Sequence, residues 1–228
     1  MKRVLVTGLM ISILAGSTIA GAASSALAAS PDSTTKCNGS LPPGTYGNVL
    51  VPKGATCTLT SGVVISGNLK ALSGNTLSIT SVSIGRNLVD TSGAALTQTG
   101  ATIGGTESVI GLTSSPQGGT NTICASQIGK NLLVESLGSA AAVNVGDTTG
   151  PAACTTSNTV AKNGVINNNS AEVVDVSGNT FNDNLTVDNN SSLGLVVMNN
   201  TVGNQCEQHG NQPSAQFSGN TAHDNDGC

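Results

Sequence analysis

The stretch VSGNTFNDNLTVDNN, residues 176–190, decides the fold. Small apolar residues alternate with polar ones, and asparagines punctuate them. The phrase recurs. EVVDVSGNTFNDNL (172–185) is followed by GLVVMNNTVGNQC (194–206) and SAQFSGNTAHDND (214–226). Six columns stay in phase at steps of 21 and 20 residues. Three of them are apolar: Val174/Leu195/Ala215, Val176/Val197/Phe217 and Phe181/Val202/Ala222. The other three are Asn179/Asn200/Asn220, Thr180/Thr201/Thr221 and Asn184/Gln205/Asn225.

The amino-terminal half keeps the rhythm with a degraded motif. Ile65, Ile84 and Ile103 are 19 apart, as are Val63, Val82 and Ala101. Asn68, Asn87 and Thr106 follow each Ile by three residues, and Asn48, Asn131 and Asn163 fit the same slot. Two longer steps mark loops, SSPQGGTNTICAS (114–126) and VGDTTGPAACTTSN (145–158). A period near 20 means stacked supersecondary units. Helical units need runs of helix formers. These segments are short, β-branched and alternating, with turn residues between them. The expected fold is all-β: a single right-handed parallel β-helix of about eight coils.

Adjacent coils of such a solenoid lie ~4.8 Å apart, so equivalent side chains stack. Stacked Asn amides carry both donors and acceptors and can bond one another and the turn backbone. Asn179, Asn200, Asn220, Asn184, Gln205 and Asn225 are therefore read as structural ladders, with the aliphatic columns facing inward.

The six cysteines lie beyond the first 36 residues. Cys37 and Cys57 are 20 apart, Cys206 and Cys228 are 22 apart, and Cys124 and Cys154 are 30 apart. One coil of separation brings two Cα atoms within disulfide range. Three sequential bridges are predicted, the outer two stapling the terminal coils against edge pairing.

Residues 1–28 read as a secretory signal peptide. Lys2 and Arg3 precede an apolar run, and Ala26-Leu27-Ala28 forms a small-x-small cleavage site. Residues 29–44 form a mature amino-terminal segment, and 45–228 form the solenoid. No later segment approaches the ~18 apolar residues of a membrane span. An even cysteine count in an exported chain fits an oxidising compartment. After the leader, twelve acids face six bases. That balance argues against nucleic acid, which is gripped by cations facing phosphates.

The columns in GNVLVPKGATCTLTSGVVISGNLKAL and SGNTFNDNLTV resemble the pectin lyase-like superfamily of right-handed parallel β-helices. More narrowly, they resemble small secreted actinobacterial β-helix proteins. The resemblance covers about 45–228. It implies the fold and leaves activity open, since such folds include polysaccharide lyases, hydrolases, esterases and adhesins. A lyase of this shape implies an Arg or Lys base.

Arg86, in SIGRNLV, is the one mature arginine and reads as an outward decoration of a coil. Glycosidases need two carboxylates at a set separation. Asp175, Asp183 and Asp188 are the local acidic cluster, and Asp183 and Asp188 flank NLTV. Arg86, Asp183 and Asp188 are thus the catalytic candidates, each set against a solvated-surface reading. HDNDGC (223–228) has a calcium-loop flavour without the further ligands. His209 and His223 lack zinc spacing. Neither a metal nor a cofactor is expected.

The expected function is a secreted, non-catalytic structural or adhesive solenoid at the cell envelope or matrix. Its partners would be cell-wall or extracellular polysaccharide or surface proteins. A polysaccharide-binding protein, lyase or hydrolase is the alternative. An ice-binding surface built on the Thr180/Thr201/Thr221 ladder, which Thr159 would extend, is a second alternative.

Overall fold

The computed structural model describes residues 30, 33–116, 119–146 and 154–228, with the side chains of 225 and 226 excepted. The leader expected at 1–28 lies outside the described residues. Among the described residues every regular element is a β-strand. The strands stack as three parallel sheets of ten, nine and eight strands, called here A, B and C. The chain visits A, B and C in turn and then rises one coil, giving a parallel β-solenoid. Sheet A runs from Thr34–Lys36 to Asp224–Asp226, sheet B from Gly39–Ser40 to Gln216–Ser218, and sheet C from Gly44–Tyr46 to Thr201–Val202. The solenoid therefore begins before residue 45. Thr34–Lys36 already pairs with Asn48–Val51.

Strand alternation fills the interior. On sheet A, Val49, Leu69 and Leu88 stack inward, and further on Leu132 and Leu185. On sheet B, Leu59, Ile79, Ile123, Val145, Val176 and Val197 do the same, and on sheet C Ile65, Ile84, Ile103, Ile128, Val160, Phe181 and Val202. Each buried Leu, Ile, Val or Phe contributes ~1.5–3 kcal/mol. Stacking many small aliphatic side chains replaces the large aromatic core that this composition lacks.

Asparagine ladders line the corners. At the corner from C to A, Asn48 Oδ1 accepts from Asn68 N at 2.9 Å and Nδ2 at 3.2 Å. The pattern continues through Asn87 to Thr106, then from Asn131 to Asn163, Asn184 and the backbone N–H of Gln205. At the corner from B to C, Asn158, Asn179, Asn200 and Asn220 form a second ladder of opposite sense. There each Oδ1 accepts from the coil before it. Each Nδ2 also donates to an inner carbonyl, as Asn200 does to Val176 O at 2.8 Å. The expected Asn184/Gln205/Asn225 column breaks at its last member. Asp224 pairs with Gln205, and Asn225 pairs with Cys206.

The sequence reading missed a third ladder, Asn169/Asn190/Asn211, at the corner from A to B. Both tight corners turn through a residue at positive φ just before the ladder position. Asn168, Asn189 and Asn199 take it at 52°, 53° and 56°, and Gly210 and Gly219 at 63° and 66°. Asn tolerates that conformation better than most residues with a side chain, which accounts for the Asn-Asn doublets 168–169, 189–190 and 199–200.

All three predicted disulfides are present: Cys37–Cys57, Cys124–Cys154 and Cys206–Cys228, with Cα separations of 5.5, 5.4 and 5.7 Å. They mark a fold suited to an oxidising environment. Among the described residues, no helix is long and apolar enough to cross a membrane.

Candidate functional site

The outward face of sheet C carries one side chain per coil in register. The column reads Thr45, Val64, Ser83, Thr102, Gln127, Thr159, Thr180, Thr201 and Thr221. The expected threonine ladder is therefore real as geometry and longer than its repeat showed. Beside it runs a strip of small residues, Gly85, Gly104, Gly129 and Ala161. Their N–H groups donate to Ile65, Ile84, Ile103 and Ile128 of the coil before. A Cβ on Gly129 would stand 2.6 Å from Gly104 O, so glycine there permits close backbone approach. The result is a shallow trough of about 470 Å³, lined by Thr102, Gly104, Gln127, Gly129, Thr159 and Ala161.

The row next to the small-residue strip carries the cations. Arg86, Gly105, Lys130, Lys162 and Asp183 follow one another at the corner from C to A, each N–H donating to the carbonyl of the residue before it. Arg86, Lys130 and Lys162 are exposed. Lys130 and Lys162 are neighbours at one coil spacing, ~4.8 Å, and Arg86 stands two coils from Lys130. The signal was legible as the triplets GRN (85–87), GKN (129–131) and AKN (161–163), each placing a cation before a ladder asparagine.

The catalytic candidates do not converge. Arg86 and Asp183 share a column four coils apart, ~19 Å along the axis. Asp183 lies in the corner two residues before the strand Leu185–Asp188 and Asp188 ends it; the strand alone spans ~10 Å at strand rise, outside the ~5–9.5 Å of glycosidase carboxylate pairs. Asp188 Oδ1 accepts from His209 N at 2.9 Å. Asp175 lies on sheet B, paired with Asn144 and Val196. Burial raises its pKa, partly offset by the Ser177 hydroxyl that donates to it. A sequence cluster of acids thus spreads over different faces, because the chain turns a corner every few residues. His209 pairs with Asp188 at the end of its strand, while His223 precedes the strand Asp224–Asp226. Among the described residues, no three His, Cys, Asp or Glu side chains share a metal-binding position. Tyr46 and Phe217 lie at opposite ends of the solenoid, and Phe181 is buried.

Sequence reasoning also missed a polar belt inside the core. Asp90 replaces an aliphatic residue between Ala71 and Val109, and Glu107 does so between Leu88 and Leu132. Gln98 stands between Ile79 and Ile123. All three are fully buried. Asn75 Nδ2 donates to Asp90 Oδ1 at 2.7 Å, and Gln98 Nε2 donates to Glu107 Oε2 and Ser126 Oγ, each at 3.1 Å. Burial pushes Asp90 up to about 6 and Glu107 up to about 7, the amide donors opposing it. The belt was legible as parity, since Asp90 and Glu107 share strand phase with Leu88 and Val109.

Compared with known proteins, the chain matches no family model, no curated protein sequence and no solved structure.

Proposed function

We propose that this chain is an exported structural or adhesive β-solenoid whose sheet C face holds a linear anionic glycan of the cell envelope or matrix. The observation that carries the reading is the pairing of a hydroxyl column with the cation row Arg86, Lys130 and Lys162 across a trough of small residues. Both rows run along the axis, so a polymer lying in the trough meets Thr102 and Thr159 on one side and the coils that carry Lys130 and Lys162 on the other. Cations on a scaffold this low in charge act as local contacts rather than as a general basic surface. The leader-like residues 1–28 and the three disulfides favour export. The pectin lyase-like resemblance favours a carbohydrate ligand. A lyase or hydrolase has less support, because Arg86, Asp183 and Asp188 lie far apart.

The test is retention of the purified protein on immobilised acidic and neutral glycans and on isolated cell walls. Selective, salt-sensitive retention on an acidic polymer is expected. It should fall at least about tenfold in the triple variant Arg86→Ala/Lys130→Ala/Lys162→Ala, a loss of ~1.4 kcal/mol. No retention, or retention that ignores the triple variant, removes the reading. The unbroken run Thr159, Thr180, Thr201 and Thr221 favours a second reading, an ice-binding face. Thermal hysteresis abolished by Thr201→Tyr would establish it, and absence of hysteresis would dismiss it.

A further inference from the structure

The molecule is electrically polar along its axis. From residue 33 to 88 the chain carries Lys36, Lys53, Lys70 and Arg86, all exposed, and no acid. The next two acids, Asp90 and Glu107, are buried in the core. The first acid with solvent exposure among the described residues is Glu135. From residue 164 onward the pattern inverts. Glu172, Asp175, Asp183, Asp188, Glu207, Asp224 and Asp226 follow with no Lys or Arg. Over an axis of roughly 40 Å, about eight coil steps, one end is cationic and the other anionic.

Both ends also present unfinished sheets. Among the described residues, Thr34–Lys36, Gly39–Ser40 and Gly44–Tyr46 each pair on one side only. At the other end the same holds for Asp224–Asp226 and Gln216–Ser218. Apolar side chains that are fully buried mid-solenoid are only partly covered here: Leu41 and Tyr46 at the first end, Ala215, Phe217 and Ala222 at the last. The second ladder is open too. Asn200 N donates to Asn220 Oδ1, whereas no described side chain accepts from the N–H of Asn220.

We infer that copies of this chain associate head to tail, the carboxy-terminal coil of one seating on the amino-terminal coil of the next. Sheet then meets sheet in the same parallel sense. Asp224–Asp226 lies against Thr34–Lys36, which brings the strand of Asp224 onto the strand of Lys36, and Gln216–Ser218 lies against Gly39–Ser40. Edge strands are templates for such pairing. Opposite charge steers and orients the encounter. Because the two surfaces differ, the contact does not close on itself and propagates as a filament. The opposite orientation, end on like end, juxtaposes charges of one sign.

The test is sedimentation of the purified protein over a wide concentration range at low and high salt. The average mass should climb without stopping at a dimer, and fall at high salt, which screens exposed charge. Lys36→Glu places an acid in the first strand, where it would face Asp224–Asp226, and Asp224→Lys reduces the acid of the other end. Each variant alone should self-associate about tenfold more weakly or worse, ~1.4 kcal/mol. Mixing the two should restore long assemblies, because each then offers the other an opposite charge. Circular dichroism and the thermal midpoint of each variant report that it is folded. A constant monomer or dimer mass overturns the inference. So does growth that neither variant changes, or variants that fail to rescue one another. Lys36 is remote from the cation row, so glycan retention and assembly can fail separately.

Discussion

Gln98 on sheet B donates to Glu107 on sheet A at 3.1 Å, across a core whose neighbouring positions in both columns are aliphatic. Gln98 Oε1 and Glu107 Oε1 are both buried without a hydrogen-bond partner. Such groups cost ~1–3 kcal/mol each.

Stability should therefore depend on pH with an unusual sign. Glu107 has its folded pKa raised from 4.5 to about 7, and Asp90 from 3.8 to about 6. The native state holds these protons where the unfolded chain releases them. Their contribution is fully present below about 4 and is lost as pH rises through about 7, a change on the order of 6 kcal/mol. Urea unfolding at mildly acidic and mildly alkaline pH measures it. Glu107→Gln should flatten the profile and stabilise the protein at alkaline pH, since its amide can also donate to Gln98 Oε1. A wild-type profile that is flat or rises with pH contradicts this account.

The buried and half-buried ladders should differ in worth. Asn200→Ala strands the Val176 carbonyl and the Asn179 N–H in the interior and should cost ~2–4 kcal/mol. Asn68→Ala, at the more open corner, should cost ~1 kcal/mol or less. Denaturant midpoints at constant slope compare the two. Equal costs would show that the ladder's value does not lie in satisfying inner carbonyls.

Phe181 occupies space that a glycine leaves. Gly164 lies between Leu132 and Leu185 in its column, and a Cβ there would meet Phe181 Cδ1 at 2.8 Å. Gly164→Ala should cost ~1–3 kcal/mol by overpacking. Gly164→Leu with Phe181→Val would restore the Leu and Val of the neighbouring coils. Its cost should fall short of the summed single variants by more than ~1 kcal/mol. Additive costs would mean the two residues do not share one space.

The terminal staples should act locally. Replacing Cys206 and Cys228 by Ala should cost ~2–4 kcal/mol. It should raise amide exchange in Gln205–His209 and Gln216–Ser218 while leaving the central coils protected. Uniform loss of protection along the chain would argue for a single cooperative unit.

Repetition made most of this architecture legible in the sequence. Columns such as Val176/Val197/Phe217 need only a constant step, and one-coil cysteine spacing gave the bridges. What escaped was whatever repeats along the axis without repeating in local sequence. Asn169, Asn190 and Asn211 keep a step of 21, but only the first two share their neighbours, Asn before and Ser after, while Asn211 sits between Gly210 and Gln212, so the third ladder did not stand out. Asp90, Gln98 and Glu107 sit where aliphatics stand in neighbouring coils, and polarity masked their inward phase. Proximity misled in the other direction for Asp175, Asp183 and Asp188. Thirteen residues of chain carry the path from sheet B past sheet C to the far end of a sheet A strand.

The two tight corners and their ladders have a bearing on ancestry. Each coil from Asn168 onward hands the next the same donors, acceptors and left-handed turn that it received. A stretch reaching from one ladder asparagine to its successor is thus a self-contained brick, with matching joints on both sides. Duplication or loss of such a brick leaves every joint filled, whereas gain or loss of a few residues within it does not. Length in this molecule changes in whole storeys.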